Sequence, residues 1–291
     1  MTTYTVHDKT WCLGCTNFSL LESARQSFQE LIDESKGALK KEDFVLCAGI
    51  GCHGKIHDYY EMSSIYGLHG RDLATAFGVK VGNPNLKVVS FSGDGNAFDE
   101  GMEHFVHAIR YNMDMTLIVH DNNLLSLTTG QPTATAWKGL RNRTAYGVSS
   151  DPFNPVSMAI SLGCGFVART YAVDVQDTKR IIKEAIKHKG FSYVEVVQPC
   201  VFFLDTREYF TKNLYKIDET TKMDKTIALQ KATEWNYEHE DKKIPYGIFY
   251  QREKGTFEEA EPQLKSLLDK KIAWWNLKRS FSYDRFVKQE N

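Results

Sequence analysis

The chain has 291 residues, 42% of them hydrophobic, enough for a full α/β core with room for an appendage. Its 36 basic and 37 acidic residues leave a formal charge of −1, so no global field selects nucleic acid or a membrane surface. No apolar run has the length of a transmembrane helix, and Met1 to Thr10 carry no signal-peptide core, which predicts a cytoplasmic protein.

Trp11-Cys12-Leu13-Gly14-Cys15 is a C-x-x-C knuckle, and two thiolates at that spacing can hold one metal. No strand pattern precedes it, as a thioredoxin-like site would require. Ser19 to Leu39 has helical spacing. Phe44 to Ala48 reads as a buried strand running into Gly49-Ile50-Gly51-Cys52-His53-Gly54-Lys55. Residues 49–54 spell G-x-G-x-x-G, but no small-residue helix follows, so a dinucleotide fingerprint is rejected. His69-Gly70-Arg71-Asp72 opens a helix that runs to Gly82.

Leu86 to Phe91 and Met115 to Val119 are β-branched runs that stop at Gly, Asp or Asn, as buried parallel strands do. Between them, Phe98, Met102, Phe105, Val106 and Ile109 repeat at helical spacing. Gly93-Asp94-Gly95 and Asn122 therefore fall just past the carboxyl ends of two strands, where open α/β sheets bind ligands. A carboxylate and a carboxamide oxygen at one edge suit Mg²⁺, usually shared with phosphate. The flanking glycines let backbone approach a diphosphate, and the next helix points its N-terminus at it.

Pro132 to Pro155 is too long for a simple connection. A helix at Val156 to Leu162, a strand at Gly165 to Thr170, a helix at Val173 to Lys189 and a strand at Phe191 to Val197 come next. This alternation predicts an α/β fold with one parallel sheet and helices on both faces. Residues 1–200 are expected to form that domain. Residues 201–291, charged and aromatic with one strong strand at Ile244 to Tyr250, are expected to form a C-terminal arm packed on the domain or on a partner.

The six cysteines are Cys12, Cys15, Cys47, Cys52, Cys164 and Cys200. In a cytosolic chain they point to metal binding or buried thiols rather than disulfides. Cys47 and Cys164 read as buried thiols. Cys12, Cys15, Cys52 and Cys200 sit in loops beside Gly or Pro. Their spacing alone leaves a structural Zn(Cys)₄ site or unrelated thiols open.

The Gly-Asp-Gly to Asn unit resembles the diphosphate motif of thiamine diphosphate enzymes. More broadly, the chain resembles the β subunit of 2-oxoacid:ferredoxin oxidoreductases, the small-subunit type. The resemblance rests on Trp11-Cys12-x-Gly14-Cys15-x-Asn17-Phe18, Gly49-Ile50-Gly51-Cys52-x-Gly54-Lys55, Leu68-His69-Gly70-Arg71, Gly93-Asp94-Gly95, Asp121-Asn122, Leu127-Thr128-x-Gly130-Gln131, Gln198-Pro199-Cys200 and Ile244-Pro245-x-Gly247-Ile248-Phe249-Tyr250-Gln251.

That resemblance implies a thiamine diphosphate-binding (pyrophosphate-type) domain. It implies one [4Fe-4S] cluster on Cys12, Cys15, Cys52 and Cys200, and Mg²⁺ on Asp94, Asn122 and the main-chain oxygen of Leu124. It puts Gly51, Cys52, His53, His69, Gly93, Asp94, Gly95, Asn96, Asn122, Leu124, Leu127 and Thr128 around the cofactor, with Lys55 and Thr129 at catalytic positions. Lys55 is the candidate for holding the substrate carboxylate. The implied reaction decarboxylates a 2-oxoacid, passes electrons through the cluster to ferredoxin and gives the acyl group to coenzyme A, or runs in reverse. The Glu that polarises the aminopyrimidine ring would come from an α subunit in an (αβ)₂ assembly.

Leu13, Thr16 and Thr129 depart from the pattern. Thr129 stands where a Lys is frequent, which removes one cation for a second substrate carboxylate. The C-terminal stretch and short chain still favour 2-oxoglutarate over pyruvate or a broad 2-oxoacid range. The alternative of another class is a non-redox thiamine diphosphate lyase or transferase subunit with a Zn(Cys)₄ site.

Overall fold

A computed structural model describes residues 4–5 and 7–277. The first half contains α1 (Asn17–Glu34), β1 (Phe44–Ala48), β2 (Ser63–Tyr66), α2 (Asp72–Gly82), β3 (Lys87–Gly93), α3 (Met102–Tyr111) and β4 (Met115–Asp121). A small hairpin, β5 (Leu124–Leu125) and β6 (Gln131–Pro132), leads to α4 (Pro155–Ser161), β7 (Phe166–Tyr171), α5 (Val175–Lys187) and β8 (Ser192–Val197). The remainder holds α6 (Arg207–Asn213), β9 (Leu214–Lys216), α7 (Lys225–Ala232), β10 (Ile244–Gln251), α8 (Phe257–Ala260) and α9 (Pro262–Lys270).

Eight strands form one sheet in the order β2-β1-β3-β4-β8-β7-β10-β9. Neighbours are parallel except β10, which runs antiparallel to β7. β4 and β8 are buried along their whole length, because both sheet faces are covered. Leu117, Val119 and Tyr193 point into one core with Phe98, Phe105 and Ile109. Ile118, Val194 and Val196 point into the other with Leu20, Phe28, Ile181 and Ile182. α1 and α5 are joined there by Ser23 and Ser27 hydroxyls, which donate to the carbonyls of Val175 (3.2 Å) and Lys179 (2.8 Å).

Strand register decides which residues meet at the carboxyl edge of the sheet. Gly93 pairs with His120, so Asp94 and Asp121 leave the sheet side by side. Asp121 pairs with Val197, which brings Gln198 and the Cys200 loop to the same edge.

Three features differ from the sequence expectation. The arm does not merely pack on the sheet: β9 and β10 extend it, and β10 breaks the all-parallel pattern. Strand β2 is an exposed edge with no apolar run to announce it. The helix expected from Phe98 begins as a single wide turn over Gly95–Asp99 before α3. Residues 278–291, the end of the expected arm, lie outside the described residues.

A buried ion pair explains why the arm folds into the sheet. Arg169 and Glu195 face each other on β7 and β8, and neither reaches solvent. The guanidinium also donates to the Pro245 carbonyl (3.1 Å) and to the Tyr237 hydroxyl (2.9 Å), and that hydroxyl donates to Glu195. Trp235 and Phe249 lie against the guanidinium. A buried charge is tolerated only when its bonds are filled, and here the arm fills them. Arg169→Met should therefore lose about 3–5 kcal/mol of stability by leaving the carboxylate alone. Adding Glu195→Leu should recover much of that loss; denaturant unfolding of the single and double variants measures both.

Candidate functional site

The carboxyl ends of β1, β3 and β4 open onto a 280 Å³ cavity. Its wall contains Gly51, Cys52, His53, His69, Gly93, Asp94, Gly95, Asn96, Asn122, Leu124, Leu127 and Thr128. Glycines shape it by necessity. A Cβ on Gly93 would stand 2.7 Å from His53 Nδ1, and one on Gly95 would stand 2.4 Å from the Leu125 side chain. Gly51, at φ +146°, turns the chain so that His53 enters the wall.

Asp94 is buried, and burial pushes its carboxyl up to about 7, with Asp99 adding repulsion. Asp121, also buried, is raised well above the carboxylate range by burial, then by Asp94 and Glu195. The Thr133 hydroxyl donates to Asp94 Oδ2. Thr135 Oγ1 lies 3.2 Å from that oxygen and 2.8 Å from Asp121 Oδ1, and can donate to one of them. Asn122 Oδ1 accepts from the Leu124 N–H at 3.1 Å and the Ser126 hydroxyl at 3.0 Å. That bond folds the turn and keeps the carboxamide oxygen and the Leu124 carbonyl on the cavity side.

Asn96 has a different task from contact with a ligand. Its amide donates to Asp72 and to Ser92 Oγ (2.6 Å), and its oxygen accepts from the Gly70 N–H at 2.7 Å. It ties the Gly-Asp-Gly turn to the start of α2.

Several buried polar atoms at this edge have no partner: His53 Nε2, His69 Nδ1, His120 Nε2, Asp121 Oδ2 and Gln198 Oε1. Native interiors rarely leave such atoms unpaired, so the cavity is fitted to a polar guest. Burial holds His53 well below the usual histidine range and His120 at about 3, so both rings are neutral at pH 7. The acidic pair, glycine-framed diphosphate turn and neutral imidazoles fit thiamine diphosphate with a divalent cation.

A second cavity of 170 Å³ is lined by Cys12, Cys15, Cys52 and Cys200. All the cysteines are free thiols, and Cys47 and Cys164 are buried elsewhere. Burial raises the Cys15 thiol, then Cys200 and Cys12 raise it further. Burial pushes Cys52 up to about 11, with Lys55 opposing. Such thiols ionise when a cation takes them. No set of three or more His, Cys, Asp or Glu converges on a single ion among the described residues. The four thiols surround a space instead, which suits a polynuclear cluster.

Lys55 lines this thiol cavity and not the larger one; its Nζ donates to the Thr10 carbonyl at 3.0 Å. Thr129 is exposed and lines neither; its carbonyl accepts from Arg143 Nε at 3.0 Å. Asn17, His120, Asp121, Thr133, Thr135 and Gln198 were not singled out as site residues from sequence. His120-Asp121 immediately precedes Asn122, and Asn17 comes two positions after Cys15; adjacency was the available signal.

A parallel sheet carrying this turn and this acidic edge is a thiamine diphosphate-binding domain. The family model described as thiamine pyrophosphate enzyme, C-terminal TPP binding domain, matches residues 49–196. The model for the C terminal of the pyruvate ferredoxin oxidoreductase beta subunit matches residues 200–266. The chain is 41% identical over 261 residues to the 2-oxoacid:ferredoxin oxidoreductase subunit beta of Saccharolobus solfataricus, covering 84% of this chain and 82% of the relative. It is 33% identical to the 2-oxoglutarate synthase subunit KorB of Methanocaldococcus jannaschii, covering 89% and 93%. The solved 2-oxoglutarate:ferredoxin oxidoreductase from Magnetococcus marinus, with 2-oxoglutarate, coenzyme A and succinyl-CoA bound, superposes with a TM-score of 0.85 at 27% identity, over 99% of this chain and 94% of that one. The chain belongs to the β subunits of 2-oxoacid:ferredoxin oxidoreductases, and is one subunit of a multi-subunit enzyme. No helix among the described residues is long and apolar enough to cross a membrane.

The buried acidic pair gives a signed prediction. A carboxyl with a folded value near 7 and an ordinary value of 3.8 keeps its proton longer in the folded chain. Cofactor-free stability should therefore fall as pH rises from about 4 through about 7. Asp94→Asn should stabilise the cofactor-free protein at pH 8 by about 1 kcal/mol or more. It should also abolish the gain in melting temperature from Mg²⁺ with thiamine diphosphate. Thermal melts with and without the cofactor test both.

Proposed function

We propose that this chain and an α subunit form an enzyme that oxidatively decarboxylates 2-oxoglutarate to succinyl-CoA, or runs the reverse carboxylation. Electrons pass through a [4Fe-4S] cluster to ferredoxin. The observation that carries this reading is the common wall of the two cavities, to which Asn17, Cys52, Asn122 and Gln198 all contribute. A two-electron donor in one cavity and a one-electron acceptor in the other would then be neighbours.

Asp94, Asn122 and the Leu124 carbonyl would hold Mg²⁺ on the diphosphate. Cys12, Cys15, Cys52 and Cys200 would hold the cluster. When bound, thiamine diphosphate supplies a carbanion that attacks the keto carbon, and the cluster accepts the released electrons singly. The chain's own residues do the rest. Asp72, Ser92 and Asn96 lock the diphosphate turn. Neutral His53 and His69 offer hydrogen bonds without adding charge beside the cofactor. Leu124 and Leu125 exclude water on one side. Lys55 places a positive charge beside Cys52, which favours the anionic cluster and can also orient an incoming carboxylate. Thr128 lines the cofactor cavity; Thr129, one residue on, is exposed and has no cation to offer. The α subunit would supply the Glu that polarises the aminopyrimidine and much of the coenzyme A site, in an (αβ)₂ assembly. Preference for 2-oxoglutarate is supported by relatives named for that acid.

An anaerobic absorption spectrum with metal analysis tests the cluster on the chain co-expressed with its α subunit. A shoulder at roughly 400 nm with about four irons, lost in Cys200→Ala, is expected. One zinc and no colour would instead leave a non-redox thiamine diphosphate subunit. The kcat/KM for 2-oxoglutarate should exceed that for pyruvate; the opposite order would overturn the substrate assignment. Lys55→Ala should raise KM for the 2-oxoacid about tenfold, the loss of one charge-assisted bond, with the cluster spectrum unchanged. An unchanged KM would remove Lys55 from the substrate path.

A further inference from the structure

Asn17 stands in the wall between the two cavities, buried at the start of α1. Its side-chain oxygen lies 2.8 Å from His120 Nδ1. Its backbone N–H and its side chain both hydrogen-bond the Cys15 sulfur. A thiolate sulfur only accepts, so the carboxamide NH₂ must face Cys15 and the oxygen must face the imidazole. His120 therefore donates from Nδ1. As a neutral ring it presents the Nε2 lone pair, and Nε2 is buried and has no partner. His120 belongs to the lining of the larger cavity.

We propose that Asn17 and His120 form a hydrogen-bond relay through which occupancy of the thiamine cavity sets the reduction potential of the cluster at Cys15. The relay rests on the cluster assignment above. Its direction follows from polarisation along hydrogen-bonded chains. An N–H or O–H donor arriving at Nε2 draws electron density from the ring. The Nδ1–H then donates more strongly to the Asn17 oxygen. The amide becomes more polar, and its NH₂ becomes a better donor to sulfur. Hydrogen bonds to cluster sulfurs help set the potential. A stronger donor favours the reduced, more negative cluster and raises the potential. Linkage requires the reciprocal effect: the reduced enzyme binds thiamine diphosphate more tightly than the oxidised one, by the factor that the potential shift implies.

Asn17 and His120 are positioning residues in this scheme, and a potential separates that role from a structural one. The experiment is an EPR-monitored redox titration of the αβ holoenzyme, with and without Mg²⁺ and thiamine diphosphate, in the absence of 2-oxoacid. The wild-type potential should rise on cofactor loading. His120→Leu, of similar bulk and without ring nitrogens, should bind the cofactor yet lose the shift. Asn17→Ala should lose the shift and also lower the cofactor-free potential. His120→Gln, whose amide can donate to Asn17, should retain part of the shift. A wild-type potential indifferent to the cofactor, or a full shift in His120→Leu, would overturn the relay while leaving the cluster in place. A wild-type enzyme without a cluster signal would overturn the cluster assignment and the relay with it. The wild-type titration decides even where a variant fails to fold.

Discussion

Two carboxyl groups are buried side by side at the ends of β3 and β4, and much of the site depends on that. The pairing of Gly93 with His120 makes the juxtaposition unavoidable once the sheet forms. Two anions without water repel each other and lose hydration, so both carboxyls are held above their ordinary range. Hydroxyls of Thr133 and Thr135 offset part of this, and they come from the segment after β6. That segment is thereby pinned over the cavity. A divalent cation completes the charge balance, and a diphosphate completes the cation's shell. The glycines on both sides of Asp94 keep side chains out of the space that guest requires.

The acidic edge is connected to the far side of the sheet. Glu195, two residues before the Asp121 partner Val197, adds to the repulsion felt by Asp121. Arg169 neutralises Glu195, and Tyr237 and Pro245 complete the guanidinium's bonds. The C-terminal arm thus contributes to the electrostatics of the cofactor edge without touching it. That is a physical reason for β10 to join the sheet rather than cover it from outside.

Residues whose role comes from periodicity or from a turn were legible in the sequence. β3, β4, β7 and β8 were apolar runs, and Gly93-Asp94-Gly95 announced a backbone approach. Elements made by tertiary context were not. β2 is exposed, so no apolar pattern marks it. β5 and β6 are two residues each, below any period. β9 has no run of its own and pairs because β10 offers an edge. At the site, residue type concealed role: Asn96 reads as a ligand contact but is consumed by Asp72 and Gly70. Lys55 shares a loop with His53, yet the turn at Gly51 sends His53 to one cavity and Lys55 to the other. Asn17 carries no charge and no metal-binding chemistry, so nothing in its identity drew notice.

The chemistry of the common wall is set by the groups on each side of it. Asn17, Asn122 and Gln198 all present carboxamides there. A cationic side chain in that wall would compete for the thiolates and for the diphosphate. An anionic one would repel both. A carboxamide adds no net charge, yet it accepts at one end and donates at the other. Asn122 uses its oxygen to fold the turn that frames the acidic pair. Gln198 donates its backbone N–H to the Asp121 carbonyl at 2.7 Å and keeps its side-chain oxygen unpaired. Asn17 spans from sulfur to imidazole. Two strongly charged compartments are thereby held in contact by groups that separate their charges without insulating their polarity.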